Sequence, residues 1–457
     1  MMKAITPRVA FAGFGEVNTP KDILVRKCKA ALEALEKAGV EVLDAVYPIT
    51  DDAAGNDVGA AIRELTSRMG EFDALVVCVA GWIPTHAVVK VTEPFRALPM
   101  LLWGLCGWVD EDGHLVTTAD QAGTTALRAT FKGLGYRFAY LYDIVGLPTR
   151  TAEAARFLTA AAAVKKMRSM KAGMGGYRDM NLYGTLYDGA SLKRVTGAEI
   201  ETFELLELKQ KRDAVPAEEI AAVIDGPMAS WHFTAPAERA AMEDAAGYYL
   251  AAKQIIEARG YDSFSLKDVD GMKALLGFPP APIFMLISNE LGVSTVPEND
   301  SLGCVTQLML RCLTGQCGAY LEFYEFFTDR VLAGVPDFIP AEITDGDITV
   351  MPAAFGELSQ GILNVSKVKT GALTLCRLAC EDGAYVLHMV KGQGVAPRRW
   401  EEAGWTKPAP QLPALEILLD DVPAFADRVM AQHYFLAYGD QTPVITDFCR
   451  LAGIRII

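Results

Sequence analysis

The sequence predicts an α/β protein, with two doubly wound parallel-sheet domains followed by a C-terminal β-rich, barrel-like domain. Three observations predict it. The first 150 residues alternate short β-branched apolar runs with longer amphipathic stretches, the alternation resumes more loosely from Lys171, and after about residue 330 proline and glycine punctuate short strand-like runs. The expected domains are 1–165, 166–330 and 331–457.

In the first domain RVAFAGF, VEVLDAV, DALVVCVA, PMLLWGL and FAYLYDI read as buried strands. PKDILVRKCKAALEALEKAG, GAAIRELTSRMG and TTALRATFKGLG carry helical spacing between them. Strands separated by helices form a parallel sheet covered on both faces. Its ligand crevice lies beyond the carboxyl ends of the strands, at GFGEVN, VAGW and the tract after LLWGL. GFGEV lacks the spacing of a dinucleotide or phosphate loop, which disfavours a nucleotide-dependent oxidoreductase.

A long alanine-rich helix over 150–170 leads into KAGMGGYRDM, and a second helix is expected over 237–260. IAAVIDG (220–226) and PIFMLIS read as apolar strands. Beyond residue 330, ITVMPAAFG, TGALTLCRLACEDGAYVLHMVKGQG and ALEILLD read as strands joined by turns, and TPVITDFCRLAGIRII as a helix and strand.

Composition narrows the function classes. The chain has 457 residues, 51% hydrophobic and 22% charged, enough for several cores. No apolar run reaches the roughly 18 residues that span a bilayer, and the N-terminus lacks a cleavable leader pattern, so a soluble, cytoplasmic protein is expected. A net charge of −14 disfavours a phosphate-backbone binder, and nucleic acid is not an expected partner. Nine scattered cysteines without a CxxC argue for reduced core thiols.

The chemistry-bearing residues gather around VPENDSLGCV (296–305). Asp300 before Ser301 is an ordinary helix N-cap, whereas Glu298 precedes the cap and is either a solvated loop acid or a functional one. Glu322 interrupts the aromatic strand AYLEFYEFF. Buried there it needs a cation, and a divalent metal is one way to supply it; an exposed edge acid is the alternative. Of five histidines, His433 in MAQHYFLAYGD has the most ordered setting, while His388 reads as a strand-face residue. Glu298, Glu322 and His433 together make two carboxylates and one imidazole, which suits manganese or a similar ion and leaves positions for sugar hydroxyls.

The tract VPENDSLGCVTQLMLRCLTGQCGAYLEFYE, with QHYFLAYGD and LAGIRII, resembles the metal-dependent L-fucose and L-arabinose isomerase superfamily. The resemblance implies aldose–ketose isomerisation of a monosaccharide through an enediol(ate), with 6-deoxy and anionic (sulfo- or phospho-) sugars in scope. It implies Glu298, Glu322 and His433 as ligands of a divalent metal, Mn2+ above all, with Glu298 and Glu322 sharing the acid and base duties. It also implies a homo-oligomer, trimer or hexamer, with sites between subunits. Trp82, His86 and Trp103 near strand ends, and Lys391 and Arg398 as anion contacts, are the candidate sugar-binding residues. Two departures stand out: Glu322 occupies a position where aspartate is usual, and AGVPDFIPAE replaces a Gly-His-Cys-Gly-like turn. A catalytically silent sugar-binding or regulatory protein of the same fold is the rival expectation.

Overall fold

The computed structural model describes residues 4–334, 339–352, 361–397 and 413–457. These fall into two compact units, one of Ile5–Lys165 with Pro443–Leu451 and one of Lys166–Thr442 with Ala452–Ile457. The fold is mixed α/β, with parallel sheets and a closed six-stranded barrel in the C-terminal region.

In the first unit β1 (Arg8–Phe14), β2 (Glu41–Ile49), β3 (Ala74–Val79), β4 (Met100–Gly104) and β5 (Phe138–Tyr142) form a parallel sheet in the order β2-β1-β3-β4-β5. Every residue of β3 and β4 is buried, which is why these strands are continuous apolar runs without alternation. The connections are α1 (Lys21–Lys37), α2 (Asn56–Ser67), α3 (Thr85–Thr92) and α4 (Asp120–Gly133), and α5 (Thr151–Met167) follows β5. On α1 the buried positions Leu24, Lys27, Cys28, Ala31 and Leu35 make one helical stripe.

In the second unit β6 (Lys171–Gly175), β7 (Glu199–Phe203), β8 (Ser263–Leu266) and β9 (Ser294–Val296) form a parallel sheet ordered β9-β8-β6-β7. Its helices are α6 (Gly189–Thr196), α7 (Leu205–Asp213), α8 (Ala217–Asp225), α9 (Arg239–Arg259), α10 (Ala281–Leu286) and α11 (Ser301–Thr314). Two sequence expectations fail here. IAAVIDG lies in α8, where buried Ile220, Val223 and Ile224 keep helical spacing. PIFMLIS lies in α10 and the π-helical turn Ile287–Leu291 that continues it. All six residues of α10 are buried, and a short run that is apolar all round looks the same as strand or helix.

The barrel comprises β10 (Ala319–Phe326), β11 (Arg330–Gly334), β12 (Gly371–Glu381), β13 (Ala384–Val395), β14 (Ala414–Leu418) and β15 (His433–Tyr438). Around it the order is β12-β15-β10-β11-β14-β13, closed by the pairing of β12 with β13, and all six contacts are antiparallel. Closure leaves no sheet edge among these six strands, although β16 (Arg455–Ile456) adds alongside β13. The hairpin between β12 and β13 turns on Asp382 and Gly383, both with positive φ, the conformation a two-residue turn demands. Because the barrel starts at Ala319, ahead of the expected 330/331 boundary, Glu322 is a barrel residue. Two further helices, α12 (Val422–Ala426) and α13 (Thr442–Ala452), flank β15 in the chain. Among the described residues no helix is long and apolar enough to cross a membrane.

Candidate active site

Between β9 and α11 the chain makes a strained turn. Glu298 (φ 62°) and Asn299 (φ 50°) both occupy the left-handed region. Asparagine tolerates that region, but glutamate there costs about 1–2 kcal/mol. The surroundings hold the turn: the Asn299 backbone N–H donates to Leu266, and its Nδ2 donates to the carbonyls of Gly175 (2.9 Å) and Tyr177 (2.7 Å). Asp300 then caps α11, accepting from the Gly303 N–H at 2.9 Å. It is more than a cap. Arg377 of β12 clamps both its oxygens, Nη2 at 2.8 Å from Oδ1 and Nη1 on Oδ2, and both side chains are buried. Burial pushes the Asp300 carboxyl up, but Arg377 outweighs it and holds the group below the usual carboxylate range.

The strained turn aims Glu298 at the barrel. His433 Nδ1 lies 3.8 Å from Glu298 Oε2, and its Nε2 lies 3.5 Å from Glu322 Oε2. The antiparallel register explains the second contact, because Glu322 of β10 stands directly opposite His433 of β15. Gln432 donates to Glu322 Oε2 at 2.8 Å. Tyr320, two residues before Glu322 and diagonal to His433, stacks on the imidazole with centroids 4.2 Å apart and planes 21° apart. Its hydroxyl is buried and has no hydrogen-bond partner among the described residues. Burial, with the carboxylates of Asp300 and Glu298, pushes that phenol well above its ordinary value.

A π-helical turn, Asp268–Lys273, adds a buried pair, with Lys273 Nζ at 3.2 Å from Asp268 Oδ1. Burial raises the Glu322 carboxyl, yet His433, Gln432 and the Lys273 charge more than offset it, so Glu322 stays below the ordinary carboxylate value. Among the described residues the neighbourhood includes the carboxylates of Asp268, Glu298, Asp300 and Glu322 and the cations Lys273 and Arg377. Two carboxylates, each within about 4 Å of one imidazole, are donors of the kind a divalent ion of intermediate hardness takes. The arrangement is not a closed ligand shell: His433 turns opposite nitrogens to the two glutamates. Among the described residues no group of three or more His, Cys, Asp or Glu side chains converges as ion ligands do.

Glu298, Glu322 and His433, far apart in sequence, are thus neighbours. The remaining candidates belong to other segments of the chain. Trp82 and His86 are exposed in the segment after β3 of the first unit. Trp103 of β4 is fully buried, its indole N–H donating to Asp143 at 3.1 Å, and it serves as a core residue. Lys391 is exposed and pairs with Asp440 at 3.4 Å, past the end of β15 opposite to His433, with the length of that strand, roughly 17 Å, between them. Arg398 lies outside the described residues. In the first unit an open cleft at the carboxyl ends of β4 and β5, about 450 Å³ with the solvent at its mouth included, is lined by Lys27, Leu105, Cys106, Asp143 and Thr149, in the tract after LLWGL.

Sequence reasoning missed Arg377, Lys273, Asp268, Tyr320 and Gln432. Two carried a signal. An arginine within the apolar strand LTLCRLACE requires a buried acid, and Tyr320 shares a strand face with Glu322. No family model matches the chain, and no curated protein matches it. Among solved structures the chain is similar to an ABC transporter periplasmic solute-binding protein from Actinobacillus succinogenes 130z with bound D-allose. The identity is 14%, the match covers 68% of this chain and 93% of that one, and the TM-score is 0.17. A likeness this low carries no argument about this chain, whose chemistry therefore rests on its own side chains.

Proposed function

We propose that this chain is a metal-dependent aldose–ketose isomerase acting on a monosaccharide through an enediol(ate). The observation that carries the proposal is the meeting of Glu298, Glu322 and His433, the two carboxylates 3.8 and 3.5 Å from the imidazole nitrogens and all three side chains largely buried. Glu298, Glu322 and His433 would hold the ion, Mn2+ by preference, once one of the three side chains turns so that both carboxylates meet the same nitrogen. When bound, such an ion supplies polarisation of the sugar carbonyl and stabilisation of the charge that develops on its oxygens.

The rest is done by the chain. Glu322 is bonded to Gln432 and held below the ordinary carboxylate value. We assign proton transfer between C2 and C1 to Glu298, which the strained turn presents from the sheet side. Tyr320 fixes the plane of the His433 ring, and Arg377 through Asp300 anchors the start of α11 beside Glu298. The proposal includes a doubly wound arrangement of both parallel sheets, a homo-oligomer with shared sites, and a cytoplasmic setting.

One observation favours a second reading, a catalytically silent sugar-binding protein: the two glutamates face opposite nitrogens of His433. Metal content of the purified protein with and without chelator, combined with a panel of aldoses and ketoses, separates the two. The isomerase reading expects interconversion that chelation abolishes, metal restores and Glu298→Gln lowers by about 10²-fold or more. Saturable sugar binding without turnover under any divalent metal would establish the silent reading instead.

A further inference from the structure

Immediately beyond β6, the segment Gly176–Tyr177–Arg178 borders a narrow cleft, about 310 Å³ with the open solvent at its mouth included. Tyr177, Arg178, Tyr187, Thr202 and Asn299 are among its walls. It opens at the carboxyl ends of β6 and β7, where parallel sheets place their ligands. Two polar atoms there are buried and lack a hydrogen-bond partner among the described residues: Nε of Arg178 and Oδ1 of Asn299. Asn299 is only 3% exposed, and its amide N–H groups are committed to Gly175 and Tyr177, so the open acceptor is fixed in place. Arg178 donates through Nη2 to the neutral Asn181 Oδ1 at 3.0 Å, and its guanidinium lies 5.0 Å over the Tyr183 ring. It forms no ion pair with a carboxylate among the described residues.

An open cationic donor and an open neutral acceptor in one cleft are costly to leave unmet. A single small group meets both: an oxyanion to accept from Arg178, on a carbon skeleton whose hydroxyl donates to Asn299. The tyrosine rings offer apolar faces to the C–H side of such a skeleton. Asn299 follows Glu298 directly in the chain, so the cleft and the acidic cluster share one turn, with Arg178 bordering the cleft and Glu298 facing His433.

We infer that this cleft is the subsite for the charged end of an anionic sugar, a carboxylate, sulfonate or phosphate remote from the reacting carbons, with Arg178 as the residue that selects it. The inference rests on the isomerase reading for the word substrate, but binding does not depend on turnover.

The test is titration calorimetry on the full chain with Mn2+, using D-glucose and D-galactose, their uronates, their 6-phosphates and their 6-sulfonates. At least one oxyanion sugar is expected to bind about tenfold or more tightly than its neutral parent, and Arg178→Gln to reduce that preference to less than about twofold. Arg178→Lys keeps the charge but loses the Nε donor, and is expected to recover only part of the preference; should Arg178→Gln not fold, this variant carries the test. The inference is overturned if no oxyanion sugar outbinds its parent, or if the preference survives at Arg178. Charge-selective binding without turnover would sink the isomerase reading and leave this one standing. Turnover of neutral sugars with no preference for anions would do the reverse.

Discussion

Asp300→Asn is the sharpest probe of what holds the candidate site together. Asp300 is 2% exposed and Arg377 1%, so neither charge has recourse to water. The replacement keeps an oxygen for the Gly303 N–H and for Nη2, but sets an amide NH2 against Nη1, where Oδ2 had accepted. A buried guanidinium loses its counter-charge and one charge-assisted bond, which costs about 3–5 kcal/mol. Arg377→Met strands the carboxylate instead and is expected to cost about as much. Because each single change leaves one unpaired buried charge and the double variant leaves none, the double should be less destabilised than the sum by roughly 2–3 kcal/mol. Urea unfolding followed by circular dichroism measures all three, resolving the transition of the second unit from that of the first. The pair also has a pH signature. Its carboxyl lies below the unfolded value, so its stabilisation is present above about pH 3.9 and is lost as pH falls through the folded value. Single-variant losses under about 1 kcal/mol, or strict additivity, would refute the reasoning.

His388, buried against Phe425 with Nδ1 2.6 Å from the Tyr434 hydroxyl, has its pKa lowered to about 4 by burial and then by Arg428. Stability is therefore full above pH 6.5 and falls by about 3 kcal/mol between 6.5 and 4, and His388→Gln should flatten that limb in pH-dependent denaturation; an unchanged limb would contradict this. A Cβ at Gly303 would sit 2.5 Å from Asp300 Oδ2 and 3.2 Å from Arg377 Nη1. Gly303→Ala should thus destabilise by about 1–3 kcal/mol despite its better helix propensity, and a raised melting temperature would argue against the clash. Tyr320→Phe removes an unpartnered hydroxyl and keeps the stack on His433, so denaturation should register a change within about 1 kcal/mol. A larger loss would reveal a bond to that hydroxyl.

The candidate residues were legible to different depths. Glu298 and Glu322 drew notice because a carboxylate after a β-strand, or amid aromatic neighbours, violates local pattern, and His433 because few histidines exist. Arg377 and Lys273 went unremarked because their partners, Asp300 and Asp268, are chosen by packing: Asp300 lies 77 residues from Arg377. Trp103 shows the opposite error, an aromatic residue at a strand end that is wholly core. The apolar run at 282–288 misled because burial on every side erases the period that separates helix from strand, whereas the run at 220–226 keeps helical spacing but is too short for that period to stand out.

By itself the sequence determined the alternation of strand and helix in the first 150 residues, the barrel strands after 370, and the cap at Asp300. These follow from period, turn residues and local hydrogen bonding, all of which act over a few positions. Only the tertiary structure decided that β10 and β15 pair with Glu322 opposite His433, that Glu298 is bent toward them through a left-handed turn, and that Asn299 and Arg178 face one cleft. Strand register and buried charge pairing are settled by which surfaces lose water together, and no stretch of chain shorter than the whole unit contains both surfaces.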